Sequence, residues 1–317
     1  MRPSEVKLFY VENGRLKIAK DINILKTVPL SNFVWVDLNN VTPETESELE
    51  QFLKIYIQEE EEIEEIEISS RFIETEDTLV ANSNFLLDSY EKEPVSFILK
   101  NGILVSVRDT NLKSFDETIK KMFANSKIYP TGYHIFVALL ETRVEYDADM
   151  IEDATSEISR LSKKLTIAGS VNEDDLLEIK NLQEKTMHLR ENIIDKHRVV
   201  SSVMRSDLIP DELKPRLGLV IKDINSLIEH TKFGFERLDY LQDTFLGLVN
   251  IEQNKIIKIF TVVSVIFLPP TLIASMYGMN FKYMPELEWK YGYLFSILLM
   301  ILCSALTLFI FKKKKWL

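Results

Sequence analysis

The sequence predicts an α+β soluble region followed by long helices and two C-terminal transmembrane helices, which makes the protein predominantly helical. Three observations support this prediction. Strand-like segments joined by Asn-Gly turns occupy the first third of the chain, a 3.6-residue apolar pattern occupies the middle, and two long uncharged runs lie in the last fifth. At ~1.5 Å per residue, each run is long enough to cross a hydrocarbon core of ~30 Å.

The first domain, residues 1–130, is predicted to be a mixed α/β domain. Its clearest signals are two Asn-Gly pairs, Asn13-Gly14 and Asn101-Gly102, each flanked by strand-like segments. Asn-Gly favours a β-hairpin because both residues accept the positive φ of a primed turn. The apolar and β-branched composition of 33–38 predicts a further strand.

Helical signals start within this domain and dominate the next one. Thr42 followed by Pro43 predicts a helix start, and the acidic run 59–67 predicts a solvated helix. Residues 131–255 form a predicted helical region. Its last part, from about Pro215, is a stalk that continues into the first membrane span as one helix of roughly 90 Å.

Residues 256–317 form the predicted membrane domain. The run from Ile259 to Phe281 contains 23 residues without a charge, and the run 291–311 contains 21. The predicted order is a first span at about 256–277, an outer loop at 278–290, a second span at about 291–311 and a basic tail at 312–317. Lysines flank both spans on the same side, so the positive-inside rule places both termini in the cytoplasm. Pro269 and Pro270 predict a bend within the first span.

Charge and motifs exclude several classes of function. The net charge is −11, and eight lysines and three glutamates from Asn250 onward give that part +5, so residues 1–249 carry −16. Such an acidic soluble part argues against nucleic acid as a partner. The single cysteine, Cys303, excludes a disulfide framework. None of the four histidines has a metal-protease spacing, and no P-loop or Gly-x-Ser-x-Gly motif occurs, so we expect no enzyme activity.

A mostly polar, uncharged stripe follows one face of the first span. Its members recur at spacings of three and four, and they are Asn250, Asn254, Ile257, Thr261, Ser264, Leu268, Thr271 and Ser275. A polar stripe is costly against lipid, so it faces protein or water. Two interpretations stay open from the helix alone. One is helix–helix packing through small polar residues, and the other is a pore lining supplied by several chains.

The sequence at the end of the first span resembles a motif of a known protein family. Tyr277-Gly278-Met279-Asn280-Phe281, preceded by a double proline and followed by a second span and a lysine-rich tail, resembles the CorA family of magnesium transport proteins. The layout of the whole chain is similar to that family, and the specific match is confined to residues 249–291.

The resemblance implies a funnel-shaped homopentameric channel in the bacterial inner membrane that carries Mg²⁺, and also Co²⁺ and Ni²⁺, into the cell. Gly278, Met279 and Asn280 would recognise the hydrated ion at the outer mouth. The implied pore-lining residues are Asn254, Ile257, Thr261, Ser264, Leu268, Thr271 and Ser275. Ile257 and Leu268 would be apolar constrictions among them.

Feedback by intracellular Mg²⁺ is a further implication of the resemblance. Candidate regulatory ligands are Asp88, Glu91, Glu93, Glu173, Asp174 and Asp175, each with solvated surface as the alternative interpretation. No cofactor is expected apart from transported and regulatory Mg²⁺, and the partners are the lipid bilayer and further copies of the chain. Two other functions stay open: a transporter of zinc or another divalent metal with the same architecture, and a membrane-anchored sensor or scaffold that conducts nothing.

Overall fold

The computed structural model describes residues 4–58, 71–167 and 172–314, apart from the side chain of Glu286. Its strands are β1 (Glu5–Glu12), β2 (Arg15–Ala19), β3 (Phe33–Asn39), β4 (Phe72–Glu74), β5 (Thr78–Leu86), β6 (Lys92–Lys100) and β7 (Ile103–Arg108). Its α-helices are α1 (Pro43–Leu53), α2 (Lys113–Ala124), α3 (Gly132–Ile167), α4 (Glu173–Arg205), α5 (Lys214–Tyr277) and α6 (Gly292–Lys313). The predicted fold class is confirmed. The helix predicted for the acidic run 59–67 lies outside the described residues.

The seven strands form one sheet in the order β2-β1-β3-β7-β6-β5-β4. Both predicted hairpins are present, with Asn13 and Gly14 at φ values of 51° and 73° and Asn101 and Gly102 at 52° and 80°. These positive φ values are the reason why asparagine and glycine occupy the two turns. The central pair β3 and β7 is parallel, while the other neighbouring strands are antiparallel.

The sheet separates two apolar cores. One face carries the smaller core, where Leu49 and Leu53 of α1 contact the sheet. The other face carries the larger core, in which Phe97 of the sheet packs on Phe115 of α2 and Phe136 of α3. The sheet therefore forms the middle of three layers, with α1 on one face and α2 and α3 on the other.

A cluster of buried charged side chains connects the end of β5 to α3 and α4. Lys196 Nζ lies 3.0 Å from Asp147 Oδ2 and donates to the carbonyl of Asn84 at 3.1 Å. Arg143 pairs with Asp147 and donates to the carbonyl of Leu86 at 2.9 Å. Burial lowers the pKa of Lys196 to about 8, although the Asp147 carboxylate opposes that shift. The cluster thus satisfies strand carbonyls with charged groups from two helices.

The chain divides into two compact units. One, called the soluble unit below, comprises residues 1–164 and 174–241, and the other comprises 165–173 and 242–317. The helix α5 continues through Pro269 and Pro270, in agreement with one helix from stalk to membrane span. The three-part division at residues 130 and 255, and the bend at the prolines, stay predictions.

We expect Asp147→Ala to destabilise the soluble unit by about 3–5 kcal/mol, because the change leaves Lys196 and Arg143 buried without their carboxylate. The measurement is the unfolding free energy of the full chain in detergent. Asp149→Ala is the matched control, since Asp149 lies on the same helix and is exposed. An equal loss in both variants would contradict the role assigned to the cluster.

Candidate ion pathway

Within the described residues, α5 and α6 are the two helices that are long and apolar enough to cross a membrane. Only 11% and 6% of the residues in their most apolar stretches are buried. The central helix of a soluble domain would bury its apolar residues, so this exposure fits a lipid environment.

The two helices pack against each other along one face of each. On α5 the buried and half-buried residues recur at spacings of three and four, and they include Val262, Ile266, Pro269, Ile273 and Tyr277. On α6 the corresponding residues include Ser296, Met300, Ser304, Thr307 and Phe311. Each set forms a single stripe on its helix, as the packing of two antiparallel helices requires.

A hydrogen bond from α6 compensates for Pro270, the second of the two prolines in α5. Pro270 has no backbone N–H, so the carbonyl of Ile266, four residues earlier, loses its donor within the helix. The hydroxyl of Ser304 donates to this carbonyl oxygen at 2.9 Å. In hydrocarbon no water can replace the missing donor, so the second helix supplies it.

The polar stripe lies on the opposite face of α5. At 100° per residue, its mean direction is roughly 160° from that of the residues packed against α6. Asn254, Ile257, Thr261, Ser264, Leu268, Thr271 and Ser275 are all exposed. The stripe is therefore not the seam between the two helices of one chain, which removes the simplest form of the packing interpretation.

Two hydroxyl groups of the stripe, those of Thr261 and Thr271, donate their protons to the backbone of their own helix. Thr261 Oγ1 donates to the carbonyl of Ile257 at 2.8 Å, and Thr271 Oγ1 donates to the carbonyl of Phe267 at 2.7 Å. A hydroxyl that has committed its proton to the backbone can act toward other groups only as an acceptor. Acceptor oxygens suit the water molecules around a hydrated cation, which point their hydrogen atoms outward.

The Gly-Met-Asn segment directly follows the end of α5. The Gly278 N–H donates to the Ala274 carbonyl at 2.9 Å, and the Met279 N–H donates to the Met276 carbonyl at 3.3 Å. A Cβ atom at Gly278 would lie 3.2 Å from the Ala274 oxygen, so glycine permits a close approach there. Gly278, Met279 and Asn280 are exposed, and the Asn280 amide is the polar side chain among them.

Asp88 and Glu93, two of the candidate regulatory carboxylates, are engaged by neighbouring groups of the soluble unit. Asp88 accepts hydrogen bonds from Lys113 and Tyr146, and the Lys113 bond above all lowers the pKa of the Asp88 carboxyl. Glu93 is buried and accepts from the backbone N–H groups of Asp109 and Thr110, both at 2.7 Å. Glu93 thus stabilises the turn after β7 from inside the protein.

The remaining four candidates have different environments. Asp175 is buried and lies 2.7 Å from Lys164, whereas Glu173 and Asp174 are exposed at the start of α4. Glu91 accepts a hydrogen bond from Ser89 at 2.9 Å. Among the residues that the structure describes, no three His, Cys, Asp or Glu side chains are placed to hold a metal ion together. The regulatory site therefore stays a prediction.

Comparison with known proteins identifies the family. A family model described as CorA-like Mg²⁺ transporter protein matches residues 31–313. The chain belongs to this family. A magnesium transport protein CorA from Wolinella succinogenes is 40% identical over 296 residues, which span 90% of this chain and 92% of the relative. The magnesium transport protein CorA of Escherichia coli K12 is 34% identical over 315 residues, or 98% and 99% of the two chains.

A solved structure shares the fold. The complete structure of the CorA magnesium transporter from Methanocaldococcus jannaschii superimposes with a TM-score of 0.82 over the full length of both chains, at 19% sequence identity. This likeness agrees with the predicted order of an α/β domain, long helices and two terminal apolar helices.

Sequence reasoning missed Ser304 as a partner of α5. The proline in the membrane span could have indicated such a partner. A proline frees the carbonyl four residues earlier, and in a membrane this carbonyl needs a donor from a neighbouring helix. Position 304 is a serine in the middle of the otherwise apolar second span. The relative position of the two helices, which brings this serine beside Ile266, cannot be read from the sequence.

We expect Ser304→Ala to lower the unfolding free energy of the full chain by about 1 kcal/mol, because the Ile266 carbonyl is left without a donor. Thr307→Val is the matched control, since Thr307 donates to the Cys303 carbonyl of its own helix. Pro270→Ala restores a backbone N–H at position 270, so Ser304→Ala should cost less in that background. Equal costs in the two backgrounds would contradict the pairing.

Proposed function

We propose that this chain forms a channel that carries Mg²⁺ into the cell through a pore lined by the polar stripe of α5. The observation that carries the proposal is the exposed, uncharged, oxygen-bearing stripe on the face of α5 that points away from α6. Relatives of this chain in Wolinella succinogenes and Escherichia coli are named as magnesium transport proteins, which supports the choice of ion.

Several copies of the chain are needed for such a pore. Two helices cannot enclose a channel, so a ring of identical chains supplies the α5 helices, and we propose a homopentamer. In that ring each stripe faces the axis, while α6 lies outside toward lipid. The apolar side chains on the outer face of α6, such as Leu302 and Phe309, are exposed as this arrangement requires.

The chemistry of the stripe suits a hydrated divalent ion. Mg²⁺ gives up its water reluctantly, so neutral oxygens that accept hydrogen bonds from its hydration shell can hold it without stripping it. From Ile259 to Phe281 no carboxylate is present to trap the ion. A ring of Asn280 amides at the mouth would select the hydrated ion, and Co²⁺ and Ni²⁺ with similar hydration shells would also pass.

The direction of flow follows from the charge pattern. By the positive-inside rule, the lysines beside both spans favour a cytoplasmic position for the two termini and an outer position for the loop 278–290 in the proposed inner-membrane channel. An inside-negative potential then drives the ion inward by about 4.6 kcal/mol per 100 mV for two charges. Feedback through carboxylates such as Asp88 and Asp174 belongs to the same proposal, with Mg²⁺ screening the repulsion between acidic subunits.

We expect Asn280→Ala to reduce potential-driven Mg²⁺ influx at least about tenfold, because the hydration shell loses its hydrogen-bonding partners at the mouth. The measurement is influx into proteoliposomes that contain a Mg²⁺-sensitive dye. Tyr283→Ala is the control in the same loop, since Tyr283 is 88% exposed. Unchanged influx in Asn280→Ala with normal assembly would contradict the proposed mouth, and no influx in the wild type would favour a sensor.

We expect Leu268→Asn to increase Mg²⁺ flux, because an apolar collar in a pore limits flow by excluding water. Leu302→Asn is the matched control. The Ile266–Ser304 bond places both leucines at the same depth, and their exposed fractions of 65% and 60% are similar. Equal changes in flux in the two variants would indicate a general disturbance of the membrane domain and would contradict the assignment of Leu268 to the pore.

A further inference from the structure

The parallel strands β3 and β7 end at the same edge of the sheet, and the chain then leaves them in opposite directions. After β3 it leads to α1, which packs on the smaller core, and after β7 it leads to α2, which packs on the larger core. In α/β sheets, adjacent strands with such diverging connections leave a crevice at their carboxyl ends, and ligands commonly bind there. This place, between residues 39–46 and 108–114 of the soluble unit, is called the strand-end crevice below.

Hydrogen bonds hold the two walls of the strand-end crevice together. The Asn40 N–H donates to the Arg108 carbonyl at 2.8 Å. Asn39 Nδ2 donates to Asn111 Oδ1, also at 2.8 Å, although 72 positions separate these residues in the sequence. The polar side chains that follow the two strands are therefore neighbours in the folded chain.

Two buried oxygen atoms of the crevice form no hydrogen bond with any residue that the structure describes. They are Oδ1 of Asn39 and Oγ1 of Thr110, whose residues are 6% and 8% exposed. A buried polar atom without a partner is costly, and most such atoms in proteins are paired. Because Asn111 holds the Asn39 amide through Nδ2, the Oδ1 atom of the same amide stays at the crevice. An unpaired acceptor calls for a ligand that supplies positive charge or a proton.

An uncompensated pair of carboxylates belongs to the same crevice. Glu46, in the first turn of α1, is half-buried, and within the described ranges its carboxylate forms neither a hydrogen bond nor an ion pair. Burial above all, followed by the charges of Asp109 and Glu50, raises the pKa of the Glu46 carboxyl. Asp109, which directly follows β7, thus repels a carboxylate that has lost part of its contact with water. A cation between the two carboxylates would stabilise both.

The positively charged side chains at the crevice have other partners. Arg108 donates to both carboxylate oxygens of Asp37, at 3.1 and 2.7 Å, and Lys113 pairs with Asp88. Neither of them compensates the charge of Glu46. The N-termini of α1 and α2 also lie at the crevice and favour negative charge, but the carboxylates already supply it. The expected ligand is therefore a cation.

The oxygen atoms of the crevice are the ligands of a hard divalent cation. They comprise two carboxylates, one amide oxygen and one hydroxyl, without sulfur. Mg²⁺ typically binds to one or two carboxylates and keeps several of its water molecules, which can donate hydrogen bonds to neutral oxygens. Such a site needs only two acidic side chains, so it agrees with the lack of a group of three among the described residues.

We propose that the strand-end crevice binds a hydrated divalent cation, with Mg²⁺ as the expected ion, through the carboxylates of Glu46 and Asp109 and the unpaired oxygens of Asn39 and Thr110. The site lies within one chain, so its occupation depends neither on the proposed pore nor on the oligomer. The bound ion removes the repulsion between the two carboxylates and links the start of α1 to the end of β7.

The test counts Mn²⁺ bound to the full-length protein in detergent, from the electron paramagnetic resonance signal of the free ion. Mn²⁺ prefers the same oxygen ligands as Mg²⁺. We expect Glu46→Gln/Asp109→Asn to bind one Mn²⁺ fewer per chain than the wild type, and Mg²⁺ to displace this ion from the wild type. The matched control is Glu48→Gln/Glu117→Gln, which removes the same charge from exposed positions of α1 and α2 where each carboxylate pairs with a lysine. It should bind as much Mn²⁺ as the wild type.

Thr110→Val removes one unpaired oxygen without a change of charge. We expect its affinity for Mn²⁺ to fall by about threefold, while its thermal midpoint of unfolding stays at least as high as that of the wild type, because the lost hydroxyl is buried without a partner. In EDTA, Glu46→Gln/Asp109→Asn should unfold at a higher temperature than the wild type, since the repulsion is gone. Added Mg²⁺ should raise the midpoint more in the wild type.

Three outcomes would overturn the proposal. They are an equal Mn²⁺ count in the wild type and Glu46→Gln/Asp109→Asn, an equal loss in the control variant, and an unchanged affinity in Thr110→Val. The midpoints in EDTA show that each variant is folded. Because bound ions are counted without flux, a failure of the proposed channel stays distinct from a failure of this site.

Discussion

The membrane domain depends on one hydrogen bond, which the Ser304 hydroxyl donates to the Ile266 carbonyl. Hydrocarbon contains no water to satisfy backbone groups, so a span with a proline requires a donor from a neighbouring helix. Ser304 supplies that donor to the carbonyl freed by Pro270. The same contact fixes the register of α5 and α6. It thereby determines which face of α5 remains exposed.

The register gives the two faces of α5 different roles. One face is occupied by α6, whereas the opposite face carries Thr261, Ser264 and Thr271 and is exposed in the single chain. Lipid is a poor environment for these hydroxyls, although the two threonine hydroxyls donate to their own helix. The single chain is therefore incomplete as a membrane protein. In the proposed ring, further copies would cover the edges of this face and enclose water against it.

The sequence predicted those features that local chemistry determines. Asn13-Gly14 and Asn101-Gly102 specify hairpins because few other residues accept positive φ, and uncharged runs above 20 residues specify membrane spans. It did not predict the parallel pairing of β3 with β7 or the burial of Lys196 against Asp147, since these contacts join distant residues. For the same reason, Glu93 was a plausible metal ligand in sequence, although in the structure it accepts two backbone N–H groups.

Carboxylates, which bind cations strongly, and neutral oxygens, which let an ion pass, lie in different parts of the chain. An ion crosses a pore only when each site holds it weakly enough for release. The uncharged segment from Ile259 to Phe281 offers neutral oxygens, whereas the soluble unit contains carboxylates such as Asp88 that are already paired. Because the Asp88 carboxylate is paired with Lys113, a cation that binds there competes with an ammonium group. Regulation at such a site would respond to high ion concentrations, whereas the neutral oxygens of the proposed pore would hold an ion only weakly.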